Sequence, residues 1–238
     1  MSVLDNKYFR LVWFNFVFYG TNIFLSVLLL PFLAAPRQIA MKAIRFWLRG
    51  VAFMEDHFGG ISYFVIGKEN IPKTQFIAAC KHQSEWETFK IHLILNDPAI
   101  VIKKELLNIP VVGWHIRKSD PIPLDRRKGT KAIKLMIQKA RKAVKEGRSI
   151  FIFPEGTRVG LNEQKPYKSG IAALYQDLNL PIVPMALNSG LLWAKNSMFK
   201  KRGHITVQFL PIIEAGLPKE EMMQRLRDSI ETAVKRLS

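Results

Sequence analysis

The hydrophobic pattern of the chain changes character twice. Residues 11–35 carry no charge and are rich in Phe, Leu and Val, which exceeds the roughly twenty apolar residues needed to cross a bilayer. Asn15, Gly20, Thr21, Asn22 and Pro31 interrupt the run, so a bent helix lying in the membrane interface fits as well as a span. A signal peptide fits worse, because the apolar stretch is too long and Pro36-Arg37-Gln38 is a poor cleavage site. Next, Lys42, Arg45 and Arg49 fall on one helical face, while Ile39, Ala43, Phe46, Trp47 and Phe53 fill the rest. That pattern predicts a cationic amphipathic helix suited to an anionic membrane surface, with a solvated face on a core helix as the alternative.

After Gly59-Gly60 short apolar runs alternate with helical spacing. Strands are predicted at residues 61–66, 75–80, 99–102, 149–153, 182–187 and 204–210. Helices are predicted at residues 88–95, 130–145, 171–178 and 219–237, the second stopped by Gly147. Strands alternating with helices imply an α/β layered domain whose largely parallel sheet is flanked by helices. The expected organisation is a membrane-associating helical region at residues 1–58 and an α/β domain at residues 59–238.

Composition narrows the class. A hydrophobic content of 48% excludes a disordered chain. Thirty-six Lys and Arg against nineteen Asp and Glu give a formal charge of +17, which draws the chain to phosphate on lipid, nucleic acid or a small substrate. Nucleic acid is the weaker partner, since no helix-turn-helix, RNP-like or zinc signature appears. Cys80 is the single cysteine, so an intrachain disulfide and a cysteine metal cluster are excluded. The five histidines show no metal-binding spacing, and no metal is expected.

Candidate chemistry sits where strands end, as open α/β sheets place ligands beyond the carboxyl ends of their strands. Lys81-His82-Gln83-Ser84-Glu85-Trp86-Glu87 follows an apolar run and precedes a predicted helix. A histidine followed by two carboxylates offers a base and an orienting partner. Glu87 serves only if His82 stays in the turn and Glu87 enters the first helical turn; Glu85 competes for the role. The same residues also read as a simple helix cap. Phe153-Pro154-Glu155-Gly156-Thr157-Arg158 again follows a strand, with a glycine for close approach and a guanidinium matched to phosphate. Lys103 and Lys104 end another strand, and Asp125, Arg126 and Arg127 precede a predicted helix.

Together these stretches resemble the glycerophospholipid acyltransferases, most closely the 1-acyl-glycerol-3-phosphate acyltransferases. The first family block is matched by Lys81-His82 through Glu87, the second by Asp125-Arg126, the third by residues 153–158 and the fourth by Val183-Pro184-Met185. The motif core spans residues 76–190. Two departures stand out: Glu87 replaces the family's aspartate, and Asp120 and Pro123 replace its usual glycine and aromatic in the second block. The resemblance implies acyl transfer from an acyl thioester, on acyl carrier protein or coenzyme A, to the hydroxyl of 1-acyl-glycerol-3-phosphate. It implies His82 and Glu87 as catalytic residues, and Arg126, Glu155, Gly156, Thr157, Arg158 and Lys104 as substrate-binding residues, with no cofactor. It also implies a catalytic domain on the cytoplasmic face of the membrane. Another lysolipid acceptor, such as a lyso-ornithine lipid, would need the same chemistry without the phosphate contacts.

Overall fold

A computed structural model describes residues 7–161 and 163–237; residues 1–6 of the expected membrane region lie outside them. The chain opens with a helical hairpin. Helix α1 (Lys7–Leu28) leads through a tight turn, Leu30–Ala34, into α2 (Arg37–Met54). Pro31 sits at the start of that turn, where its missing N–H costs nothing. The Trp47 indole donates to Asn22 Oδ1 at 3.2 Å and ties the two helices together. Among the described residues no helix is long and apolar enough to cross a membrane.

A π-helical turn, Glu55–Gly59, ends at Gly60, whose φ of +64° lets the chain reverse into β1 (Ile61–Ile66). The α/β part continues with β2 (Ile77–Cys80), α3 (Trp86–Ile94), β3 (Ala99–Lys103), α4 (Val112–Lys118), β4 (Ile122–Leu124), α5 (Gly129–Lys145) and β5 (Ile150–Ile152). It closes with α6 (Ser169–Leu178), β6 (Ile182–Leu187), the single turn α7 (Ser189–Leu192), β7 (Gly203–Phe209) and α8 (Lys219–Leu237). The seven strands form one sheet in the order β1-β7-β6-β2-β5-β3-β4. Strands β6, β2, β5, β3 and β4 are parallel; β7 runs antiparallel to β6, and β1 runs parallel to β7. The five parallel strands therefore deliver their carboxyl ends to one edge.

Period-two alternation explains the continuous apolar runs: both faces of the sheet are covered. Ile77, Ala79, Ile150, Ile152 and Ile182 pack against α5, α6 and α8. Ala78, Cys80, Phe151, Val183 and Val207 face the other way, into a core shared with α3 and with Phe14, Phe18, Trp47 and Val51 of the hairpin. The hairpin thus completes the second helical layer. Arg37 of α2 also grips Asp97, at 2.7 and 2.9 Å, just after α3.

Two elements depart from the expected pattern. Residues 122–124 form the edge strand β4 instead of a loop, and Pro123 is tolerated there because an edge position leaves the missing N–H unneeded. Residues 112–118 form α4, also unforeseen.

Candidate active site

Strand β2 ends at Cys80, and the chain stays extended long enough to leave His82 at the sheet edge. Ser84 Oγ accepts from the Trp86 N–H at 2.8 Å, which starts α3 at Trp86 and puts Glu87 in its first turn. Glu87 Oε1 then folds back over the turn. It accepts from the backbone N–H groups of Gln83 and Ser84, at 2.7 and 2.8 Å, and lies 3.0 Å from His82 Nδ1. Its other oxygen accepts from Ser189 Oγ at 2.9 Å, at the end of β6. The carboxylate is 2% exposed, so these contacts replace its hydration shell. Between the two candidate carboxylates, the structure selects Glu87. Glu85 points elsewhere, accepting from the Trp193 indole at 3.3 Å and lying 3.9 Å from Arg158 Nη1.

The loop after β5 wraps the same histidine. Phe153 stacks on the imidazole, with ring centroids 3.8 Å apart and planes inclined by 15°. Glu155 Oε2 accepts from the His82 N–H at 3.1 Å, and the Val159 N–H donates to the His82 carbonyl at 2.7 Å. The imidazole is thereby fixed by its Nδ1, its ring face and its own backbone. Nδ1–H toward Glu87 defines the tautomer that leaves Nε2 as an acceptor.

Glu155 corrects an expectation. It was placed among substrate-binding residues, yet it is fully buried beneath the loop. Its Oε1 lies 2.6 Å from Lys81 Nζ, and Lys81 also donates to both oxygens of Glu231 on α8, at 2.8 and 3.0 Å. Burial pushes the Glu155 carboxyl up, and the Lys81 ammonium opposes the shift. Tyr167 adds a hydrogen bond to Glu231 at 3.0 Å. Glu155 therefore supports His82 from below and cannot touch a substrate.

The remaining predicted residues lie around the mouth. Gly156 takes a φ of +69°, and the Arg126 guanidinium hydrogen-bonds to its carbonyl, so the loops after β4 and β5 meet. Thr157 is exposed, and Arg158 is half-buried beside Glu85. Lys104 lies further out, 3.8 Å from Asp125, whose carboxyl is held low chiefly by hydrogen bonds from Arg127. Lys104 thus joins the Asp125 side of the mouth and contacts neither Gly156 nor Arg158. Ser189 and Gln83, whose side chain accepts from the Gly190 N–H at 3.0 Å, belong to the site and were not anticipated. A serine directly after a strand that ends at the same edge was their one sequence signal. Among the described residues no group of side chains could hold a metal ion.

A histidine base oriented by a buried carboxylate, at the carboxyl edge of an α/β sheet and ringed by arginines, defines a hydroxyl-activating transferase site. The sequence profile of the acyltransferase family matches residues 62–188, a span holding all of these residues except Glu231 and Trp193. The chain belongs to that family, and it is an enzyme. It is 35% identical over 199 residues to the 1-acyl-sn-glycerol-3-phosphate acyltransferase of Pseudomonas aeruginosa, covering 83% of this chain and 75% of that protein. It is 32% identical over 187 residues to the 1-acyl-sn-glycerol-3-phosphate acyltransferase of Saccharomyces cerevisiae, covering 75% of this chain and 61% of the yeast protein. The crystal structure of the 1-acyl-sn-glycerophosphate acyltransferase PlsC from Thermotoga maritima shares the fold. Its TM-score is 0.78 at 21% identity, over 97% of this chain and 95% of that one.

Proposed function

We propose that the protein transfers an acyl chain from an acyl thioester to the free hydroxyl of 1-acyl-glycerol-3-phosphate, giving phosphatidic acid. The observation that carries the reading is the His82–Glu87 hydrogen bond, which turns Nε2 into a fixed acceptor at the mouth of the site. The names of the Pseudomonas and yeast relatives point to the same acceptor.

In this mechanism Nε2 of neutral His82 takes the proton of the acceptor hydroxyl as its oxygen attacks the thioester carbonyl. The tetrahedral adduct collapses, the C–S bond breaks, and the imidazolium returns its proton to the departing sulfur. Glu87 stabilises the imidazolium through Nδ1–H; base assistance of this kind is worth about 10²–10⁴-fold. The substrate hydroxyl takes the place of the serine in a Ser-His-Asp arrangement, so no covalent enzyme intermediate is required. Arg158 and Arg126 hold the acceptor phosphate and set its hydroxyl against His82. Thr157 and the Gly156 backbone line that cradle, with Lys104 at its outer edge. The thiol carrier is acyl carrier protein or coenzyme A.

The hairpin brings this site to the lipid surface. Phe14 and Phe18 of α1 pack on Trp193, whose indole holds Glu85 at the mouth. The opposite face of α1 leaves Phe16, Ile23 and Phe24 exposed by 71%, 65% and 64%. An apolar face of that size suits shallow insertion at the cytoplasmic surface of a membrane. The test supplies purified protein with a panel of lysolipids and both thioester donors and reads products by mass spectrometry. Phosphatidic acid from lysophosphatidic acid is expected as the main product; preferential acylation of a lyso-ornithine lipid would reassign the acceptor.

A further inference from the structure

A second cationic cavity lies at the other end of α3 from the catalytic pair. Helix α3 has nine residues, roughly 14 Å at about 1.5 Å per residue, with Glu87 in its first turn and His92 in its last. There a cavity of about 440 Å³ opens, lined by Arg45 and Arg49 of α2, Tyr63 of β1, His92 and Asn96. Its size falls within the roughly 300–1,000 Å³ usual for small-ligand sites. None of its walls comes from the loops around His82.

The wall carries charge without a counterion. Among the described residues neither Arg45 nor Arg49 has an acidic partner, and the nearby Asp97 is taken by Arg37 at 2.7 Å and Arg148 at 3.6 Å. Arg45 uses one nitrogen to bond the Leu95 carbonyl and Asn96 Oδ1, at 3.3 and 3.2 Å, which fixes the guanidinium over the carbonyl end of α3. Its Nε remains buried with no acceptor. His92, 8% exposed, likewise has a buried Nδ1 with no partner. Burial lowers its pKa to about 4, so the ring is neutral and offers one donor and one acceptor. Two buried polar atoms left unpaired on one cavity wall call for a ligand to pair them.

We propose that this cavity is a binding site for a phosphate ester, separate from the acceptor site at His82. Two guanidiniums without acids supply the charge and the planar forks that match phosphate oxygens. Phe46 and Phe53 of the same helix are 58% and 54% exposed, so the phosphate of an anionic lipid enters with its chains against these rings.

The test is histidine-selective NMR of the full chain in non-ionic detergent, with the His92 signal assigned through His92→Gln. One arm titrates inorganic phosphate. The other titrates dihexanoyl-phosphatidylglycerol, a phosphate ester that is neither acceptor nor product of the proposed reaction. A saturable shift of His92 is expected, weakened about tenfold or more by Arg49→Gln and unchanged by Lys131→Gln on exposed α5. A shift in the lipid arm alone identifies a headgroup site; a shift with phosphate identifies the anion itself as sufficient. No shift in either arm overturns the proposal. So does equal weakening by the two substitutions, which is the signature of diffuse attraction to a chain of charge +17.

Discussion

His82 and Glu87, five residues apart in the chain, meet at 3.0 Å because only one of them is helical. On one continuous helix five residues turn about 140° past a full circle, and the side chains would diverge. Helix α3 begins at Trp86, so His82 remains on the strand end and Glu87 reaches back over the turn. The longer side chain also spans to Ser189 across the sheet edge.

The two carboxylates of this segment should behave differently on substitution. Glu87→Gln removes the charge that stabilises the imidazolium and is expected to lower kcat/KM by about ten- to a hundredfold. Glu87→Asp keeps the charge and should lose less. Glu85→Gln, at a side chain that meets Trp193 and Arg158, should change kcat/KM only severalfold. Steady-state kinetics with saturating donor check the order; a crippling Glu85→Gln beside a harmless Glu87→Gln would reverse the assignment.

Arg158→Ala and Arg126→Ala should weaken use of the phosphate-bearing acceptor. Losing one charge-assisted contact in a partly desolvated site costs about 1.5–3 kcal/mol. The expected loss falls on acceptor kcat/KM, with the donor KM little changed, and Arg158→Lys should recover part of it. Separate acceptor and donor titrations read this directly. A change confined to the donor KM would place the thiol carrier at these arginines.

Stability should fall with acid through His92. Its folded pKa, about 4, lies below the unfolded value near 6.5, so between these values the unfolded chain binds the extra proton. The favourable term is complete above about pH 6.5 and is lost as pH falls toward 4. The shift corresponds to roughly 3 kcal/mol. Urea unfolding in phosphate-free buffer should show wild type losing stability faster than His92→Gln over that window; parallel curves would contradict the assignment.

Membrane attachment should depend on the outer face of α1. Replacing Phe16, Ile23 and Phe24 by serine removes apolar area while leaving the buried Phe14 and Phe18 in place. Vesicle flotation is expected to drop by at least tenfold in partition coefficient, since each buried large side chain is worth about 1.5–3 kcal/mol. Activity on short-chain, monomeric acceptor should persist. Loss of both together would mean that the substitutions damaged the fold.

Much of the sheet could be read from the chain because its strands are buried on both faces. The edges of β1 and β6, and the span of α8, match the hydrophobic pattern residue for residue. Strand β4 escaped because it is three residues long and contains Pro123. His82, Glu87 and the loop at residues 153–158 were legible as local motifs. What those motifs rest on was not: Lys81 meets Glu231 across 150 residues, and Glu87 meets Ser189 across 102. Glu155 was misplaced for the same reason, since only the fold shows that its partner is a buried lysine.

The central claim is that His82 is the base that activates the acceptor hydroxyl. The most direct measurement is single-turnover acyl transfer to lysophosphatidic acid by wild type and His82→Ala, with donor and acceptor binding measured on the same samples. The account predicts that His82→Ala binds both substrates and melts near the wild-type temperature, while the transfer step slows by at least about 10²-fold across neutral pH. A transfer rate within a fewfold of wild type, with binding intact, would contradict it.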